Sequence, residues 1–444
     1  MLKHIYEPAA YAAQSLDGCY WVSTAPQAPD YAPLAGEARA EFAVIGGGFT
    51  GLSAALRLAE AGVDVAVLDM HAPGWGASGR NGGFCCMGGS KASGATLLRR
   101  YGADELARHR AAEVSSIETV ADIAARYGIE LDRHSDGEVQ LAHRPAAFEE
   151  MRAEAATLAR ELGCETRLIG PTELAAEGLA AQGMHGALHV RLGFGLNPRK
   201  YVLGLAEAVT RLGGRIHAHS TVEQITRAGE DYVLRTSGGT LRARHILLAT
   251  NGYSSDNLPD WMRARYLPAQ SSVIVTRPLS DDEIAAQGWS SDLMAYDSRN
   301  LLHYFRLMPN RQMLFGMRGG VRWTPADHAA IRREIRRDFD TMFPAWREVE
   351  TPWFWSGLAN VARDLVPFVG QIGDWPRAFA SFAYHGNGVA MGTWCGAQMA
   401  DLALGRETAL PDFYRAPPKR FELGPARRLA LIMAYHYYKI MDGK

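Results

Sequence analysis

Near the start of the chain, "VIGGGFTGLSAALRLAEAG" sets Gly46, Gly48 and Gly51 in G-x-G-x-x-G spacing between a continuous apolar run and an amphipathic one. "EFAVIG" reads as a buried strand. The segment after the glycines carries Leu52, Ala55, Leu56 and Leu58 with helical spacing and stops at Gly62. "VDVAVLD" then supplies a second buried strand ending in Asp69. In such a unit the first glycine permits a tight turn, the second lets a pyrophosphate approach the backbone, and the third lets helix and strand pack closely. Phe49 and Thr50 sit in the turn, where the unpaired N–H groups and about half a positive charge of a helix N-terminus suit a diphosphate. An acid at position 69 accepts hydrogen bonds from ribose hydroxyls and disfavours a 2′-phosphate. A bound dinucleotide is therefore expected; the plainer alternative is a structural turn with a surface Asp.

At 444 residues the chain exceeds what one hydrophobic core organises, so two domains are expected. Hydrophobic residues make up 47% and charged residues 21%, values of a globular rather than a disordered chain. A net charge of -1 gives no electrostatic footprint for nucleic acid or an anionic membrane, so the expected partner is a small molecule. The five cysteines, Cys19, Cys85, Cys86, Cys164 and Cys395, show no C-x-x-C spacing, which argues against a disulfide framework and a zinc site. His217 and His219 have no carboxylate or cysteine cluster with them, so no metal is expected. No stretch has the apolar length of a signal peptide or a spanning helix, and a cytoplasmic protein without a membrane span is the expectation.

The periodicities imply an α/β fold: a Rossmann-like dinucleotide-binding domain, discontinuous in sequence, and a second domain of antiparallel sheet plus helices. The expected limits are an irregular arm over 1–40, the first domain over 41–110, 197–263 and 356–410, and the second over 111–196 and 264–355. The remainder, 411–444, holds the amphipathic basic "PARRLALIMAYHYYKIMD", expected to pack on the fold as a helix, the alternative being a membrane surface.

A second glycine cluster, "GWGASGRNGG" at 74–83, follows Asp69, and far downstream "HGNGVAMGTWCG" opens another helix. Together with "ATNGY" and "LVPFVGQIG", these motifs resemble, in order and along the whole chain, the D-amino-acid oxidase and glycine oxidase superfamily of FAD-dependent oxidoreductases. Within it the chain is most similar to the gamma-glutamylputrescine oxidase branch. The resemblance implies a non-covalent FAD whose ADP half lies on Gly46 to Gly51 and Asp69. It further implies that the isoalloxazine lies along Ser78, Gly79, Arg80, Asn81, Gly82 and Gly83. Val222 would contact the adenine side, Thr250 and Asn251 would lie near the diphosphate, and Gly386, Asn387, Gly388 and Val389 would face the flavin pyrimidine. Asp69 stands where the family commonly has a longer Glu, and the C-terminal loop displaces the family's serine and histidine. Cys395 falls inside a helix pattern, which argues against covalent flavin attachment.

Alternation in "LLHYFRLMP" puts Tyr304 and Arg306 on one strand face and His303 and Phe305 on the other. Tyr304 and Arg306 align with similar residues of the resembling family, so that face is expected toward the active site. Arg318 in "FGMRGG" offers a guanidinium for a carboxylate, and His385 a ring that titrates near neutrality. Each also has a plain structural reading, as an edge ion pair, a solvated arginine or a hydrogen-bonded loop histidine. Trp353 and Trp355 share a strand face as an aromatic wall or as core, and Arg80 either contacts the cofactor or pairs with an acid.

The resemblance implies oxidation of the C–N bond of an amine or amino acid, gamma-glutamylputrescine-like, a secondary amine or a D-amino acid. Hydride would pass to flavin, the imine would hydrolyse, and oxygen would reoxidise the flavin to give hydrogen peroxide. A dehydrogenase using another acceptor, and a non-catalytic flavin-binding module, are the alternatives carried forward.

Overall fold

The computed structural model describes residues 1–443. Strand Gly36–Ile45, whose inner half is fully buried, pairs in parallel with Gly239–Leu248 on one side and Val65–Leu68 on the other. Arg215–His217 extends this sheet in parallel beyond Val65–Leu68, and Ala378–Phe382 does so beyond Gly239–Leu248. Antiparallel Phe368–Gln371 closes that edge, and the hairpin Gln224–Ala228 with Asp231–Arg235 pairs antiparallel to the outer part of Gly239–Leu248. A parallel sheet requires cover on both faces. Helices Phe49–Glu60, Pro198–Arg211 and Ala390–Ala403 supply one cover, built on residues such as Leu52, Leu56, Val202 and Met399. Tyr232, Met262 and Tyr266 pack on the other face.

The second eight-stranded sheet runs in the order Trp353–Val361, Leu267–Val275, Met313–Arg318, His303–Leu307, Met294–Asp297, Glu138–Leu141, Ala187–Val190, Thr166–Ile169. All its pairings are antiparallel except Met294–Asp297 with Glu138–Leu141. Helix Pro325–Met342 covers the face that carries Phe305 and Phe315. It is capped by Thr324, whose side chain accepts from the Asp327 amide, and buries Ile331, Ile335, Phe339 and Met342 at helical spacing. Each such side chain contributes roughly 1.5–3 kcal/mol of gross burial energy. The opposite face is left for the cavity described below.

Two of the expected limits fall inside strands: position 40 within Gly36–Ile45, and position 356 within Trp353–Val361, which belongs whole to the second sheet. Register decides both, because a strand pairs along its full length while composition changes only part-way along it.

The C-terminal helix Arg428–Met441 packs on the fold at both ends. Arg427, immediately before it, is fully buried and pairs with Asp256 at 2.7 and 3.0 Å, and the Asp442 carboxylate accepts from the backbone N–H of Asn300 and Leu301. Its outer face leaves Leu429, Met433 and Tyr437 exposed. Among the described residues no helix is long and apolar enough to cross a membrane.

Candidate active site

The turn after Ile45 is built as its glycines require. Gly46 has φ +110°, and a Cβ there would lie 2.7 Å from the Ala249 carbonyl oxygen. A Cβ on Gly51 would lie 1.8 Å from the Gly46 carbonyl oxygen, so only hydrogen lets helix and strand approach this closely. A Cβ on Gly48 would meet the Ser78 hydroxyl, which accepts from the Phe49 amide at 2.9 Å. The first-turn amides of Thr50 and Gly51 have no acceptor among the described residues and remain available to an anion. Asp69 lines the same cavity. Its carboxylate accepts from the Gly47 amide at 2.5 Å and the His71 amide at 2.8 Å. Burial pushes its pKa up to about 6, against the pull of those two N–H groups.

The loop 74–83 is held from outside. Its last five carbonyls are taken one after another: Gly79 by the Cys19 thiol at 3.8 Å, Arg80 by the Trp355 indole at 2.7 Å, and Asn81 by the Trp21 indole at 2.7 Å. The Gly82 carbonyl accepts from Arg306 Nε at 3.0 Å and that of Gly83 from the Leu196 amide at 2.9 Å. The amides of Asn81 and Gly82, by contrast, donate to nothing among the described residues. Asn81 braces the loop from within, donating to the Ala77 and Ser78 carbonyls and accepting from the Gly83 amide.

Two arginines expected at the site make their hydrogen bonds to the scaffold, and of the two only Arg80 also lines the cavity. Arg80 is buried and its guanidinium donates to the carbonyls of Trp75, Ser15 and Ser356, tying arm, loop and second sheet together. Arg306 is fully buried behind the loop, bonded to Gly82, Leu196 and His134, and does not line the cavity. It shares a strand face with Tyr304 but lies two residues further along, where that face has passed under the loop. Trp353 and Trp355 likewise lie in core with Tyr20, Trp21 and Val273, away from the cavity.

The C-terminal loop approaches from the other end. Gly386, Asn387, Gly388 and Val389 line the cavity immediately before helix Ala390–Ala403. Gly396 lets this helix lie on the first one, since a Cβ there would sit 2.2 Å from the Thr50 carbonyl oxygen. The Asn387 amide nitrogen donates to the Met87 carbonyl at 2.7 Å. His385 is buried with both ring nitrogens engaged: Nδ1 lies 2.8 Å from the Gly89 carbonyl oxygen and Nε2 accepts from the Ala362 amide at 3.2 Å. These partners fix the tautomer with the proton on Nδ1, and burial pulls the pKa down to about 4. Val222, Thr250 and Asn251 complete the far wall.

Facing these loops across a cavity of about 490 Å³ is the open face of the second sheet. Register places Ser271 opposite Arg318, Tyr304 opposite both Gly316 and Tyr296, and Glu138 opposite Met294, so Ser271, Arg318, Tyr304, Tyr296 and Glu138 share that face. Gly316 makes room for the Tyr304 ring, which its Cβ would otherwise approach to 2.2 Å. The Tyr304 hydroxyl lies 2.9 Å from the Ser271 hydroxyl, and its ring lies over Gly82. Burial raises the pKa of this phenol. Arg318 Nη2 donates to the His385 carbonyl at 2.6 Å, while Nε and Nη1 make no hydrogen bond among the described residues. Tyr304 and Arg318 are thus brought together on the cavity wall. Ser271, Tyr296, Glu138, Glu113 and Lys91 also line it, and none had been singled out in the sequence. A Glu opening the otherwise apolar run "GEVQLA" was the available signal for one of them.

An elongated cavity between two glycine-built helix N-termini, with free amides on the Asn81–Gly82 loop between, fits a dinucleotide with a flat conjugated ring. The comparisons agree. The model of the family described as DAO, FAD dependent oxidoreductase, matches residues 41–402. A probable oxidoreductase OrdL of Rhizobium meliloti (strain 1021) is 28% identical, with 95% of this chain and 97% of that protein covered. The gamma-glutamylputrescine oxidoreductase of Escherichia coli (strain K12) is 27% identical, covering 95% of this chain and 97% of that protein. Among solved structures, glycine oxidase from Geobacillus kaustophilus superposes with a TM-score of 0.71 at 18% identity, over 85% of this chain and 98% of that one. With a family match across four-fifths of its length, the chain belongs to the DAO family of FAD-dependent oxidoreductases.

Proposed function

We propose that the protein oxidises the C–N bond of an amine or amino acid, with oxygen as the acceptor that returns the cofactor to its oxidised state and hydrogen peroxide as the by-product. Bound FAD supplies the hydride acceptor. The observation that carries the reading is the pairing of Tyr304 and Arg318 on the sheet face opposite the Asn81–Gly82 amides. A substrate held between them has its reacting carbon enclosed by the loop on one side and the Tyr304 ring on the other, so that orientation rather than a strong base does the work.

Each residue then has a distinct task. Arg318, with Nε and Nη1 uncommitted, anchors a carboxylate where the substrate has one. Tyr304, its hydroxyl fixed by Ser271, forms the platform and excludes water from the reacting carbon. His385 is a positioning residue: it holds Gly89 and Ala362 in place and, through its carbonyl, the Arg318 guanidinium. Gly46 to Gly51 with Asp69 hold the ADP half, and Ser78 to Gly83 with Gly386 to Val389 the flavin. The names of the E. coli relative and of a glycine oxidase from Bacillus subtilis, 22% identical over 291 residues, support an amine or amino acid as substrate class.

The test is anaerobic mixing of the purified yellow protein with a panel of polyamine derivatives, N-methyl amino acids and D-amino acids. Bleaching of the flavin by a member of the panel supports the reading; a flavin that none of them reduces removes it. Admitting oxygen and measuring peroxide separates an oxidase from an enzyme that uses another acceptor.

A further inference from the structure

One corner of the cavity wall is unused by the reading above. Glu138, the first residue of strand Glu138–Leu141, is 2% exposed and lines the cavity. Its Oε1 accepts from the Tyr296 hydroxyl at 3.0 Å, while Oε2 is buried without a nitrogen or oxygen donor among the described residues, the weakly donating Cys86 thiol being the carboxyl's neighbour. Glu113, on helix Ala103–Tyr127, is 4% exposed and lines the same corner. It accepts from Arg110 at 2.8 Å, and Arg110 also donates to Glu161 at 3.0 Å. Two carboxylates therefore share one guanidinium, with the Glu138 carboxyl beside them. The other titratable groups around them do not balance the charge. The His109 ring bonds the Tyr414 hydroxyl and is kept neutral by burial, and the Cys86 thiol is kept protonated by burial.

A buried carboxylate with an open oxygen is expensive unless it is paired or protonated. In the free protein Glu138 relieves this by keeping its proton: burial pushes its pKa up to about 8. A cation arriving at the corner takes the place of that proton. On the shared sheet face Glu138 stands three strand steps from Arg318 and four residues along from the position opposite it, about 14 Å across the sheet and about 13 Å along it, so roughly 20 Å away. Glu138 thus becomes the negative counterpart of the Arg318 guanidinium once a cation has displaced its proton.

We propose that Glu138, with Glu113 beside it, is a subsite for a second cationic group of the substrate, so that preferred substrates are diamines or other amines bearing an ammonium or guanidinium group several bonds from the oxidised carbon. This rests on the amine-oxidation reading for its consequence, but the subsite has its own binding signature. Tyr296 fixes one oxygen of Glu138, the open oxygen takes the cation, and Glu113 and Glu161, two carboxylates on the single Arg110 guanidinium, keep the corner negative.

The test has a binding arm and a turnover arm, both on the FAD-loaded protein. In the first, calorimetry compares pentylguanidinium with pentane-1,5-diguanidinium on the wild type, Glu138→Gln and Glu113→Gln. The dication is expected to bind the wild type on the order of 10- to 100-fold more tightly than the monocation, the range of a charge-assisted hydrogen bond in a buried site. Glu138→Gln is expected to bring that ratio to within about threefold. In the second, anaerobic flavin reduction compares pentylamine with 1,5-diaminopentane, and the ratio of their apparent affinities should follow the same pattern. Equal binding of the two guanidines by the wild type overturns the proposal, as does an unchanged ratio in Glu138→Gln. If Glu138→Gln fails to take up FAD, the wild-type ratio and its reduction in Glu113→Gln decide. A dication preference without flavin reduction by any amine would sink the oxidation reading and leave the subsite standing; reduction by both amines at equal affinity would do the reverse.

Discussion

The Trp21 indole donates to the Asn81 carbonyl oxygen at 2.7 Å, so a residue of the N-terminal arm fixes the loop that offers its amides to the flavin. Trp21→Phe keeps most of the ring and deletes the donor, leaving a buried carbonyl short of its partner at a cost of about 1–3 kcal/mol. The expected outcome is weaker FAD binding, by roughly 10-fold, in a fluorescence titration of the apoprotein. Unchanged affinity would show that the arm braces the loop without shaping its cofactor face.

Gly51→Ala should abolish FAD binding or folding, because the new Cβ falls 1.8 Å from a backbone oxygen that cannot move without unseating the turn. Gly62→Ala is the comparison: it has φ +74° and open space around it, so it should cost only about 1 kcal/mol of backbone strain and retain flavin. Absorbance at the flavin bands relative to protein reads both.

Asp69 accepts hydrogen bonds as a carboxylate and loses that capacity on protonation. Burial raises its pKa to about 6, so in the apoprotein the acceptor is present above that pH and lost as pH falls through it. FAD affinity should therefore be constant from pH 7 to 8 and fall below pH 6. Asp69→Asn should bind more weakly throughout and lose this pH dependence, as equilibrium titrations at several pH values would reveal.

His385 has the opposite sign. Its folded pKa is depressed from 6.5 to about 4 by burial, so its contribution to stability is complete above pH 6.5 and is lost as pH falls toward 4, where the unfolded chain is protonated and the native ring is not. The melting temperature should decline over that window, and less steeply in His385→Asn. No inflection from this ring is expected in an activity profile between pH 6 and 9.

Arg427→Met removes one member of a fully buried ion pair and leaves Asp256 uncompensated, which should cost about 3–5 kcal/mol. Arg427→Met with Asp256→Leu should recover much of the loss. Denaturant unfolding of the single and double variants measures the difference.

What the sequence disclosed follows from how local each feature is. Gly46, Gly48, Gly51 and Asp69 were legible because a turn of this kind constrains residues within one strand–helix–strand unit. Arg80 and Arg306 were legible as residues near the cofactor loop but not as scaffold, because their partners Ser15, Ser356, Leu196 and Gly82 come from four distant segments. Tyr304 and Arg306 alternate as expected, yet only Tyr304 reaches the cavity, since alternation gives a face and not where that face ends. Glu113 carried no signal, and Glu138 only that of an acid opening an apolar run, for a related reason. Each is one acid in an ordinary element, and only the packing of helix Ala103–Tyr127 beside the second sheet makes them neighbours.

The five captured carbonyls of the 79–83 loop have a consequence for how the molecule is made. Their donors lie at Cys19, Trp21, Leu196, Arg306 and Trp355, so the finished loop needs the arm, the middle of the chain, and an edge strand and an inner strand of the second sheet all in place. Local strand–helix pairing should form early and the ring site late, because its contacts close long loops of chain. Uptake of the yellow cofactor then works as the molecule's own proof of assembly, and a chain caught short of the native state should remain colourless.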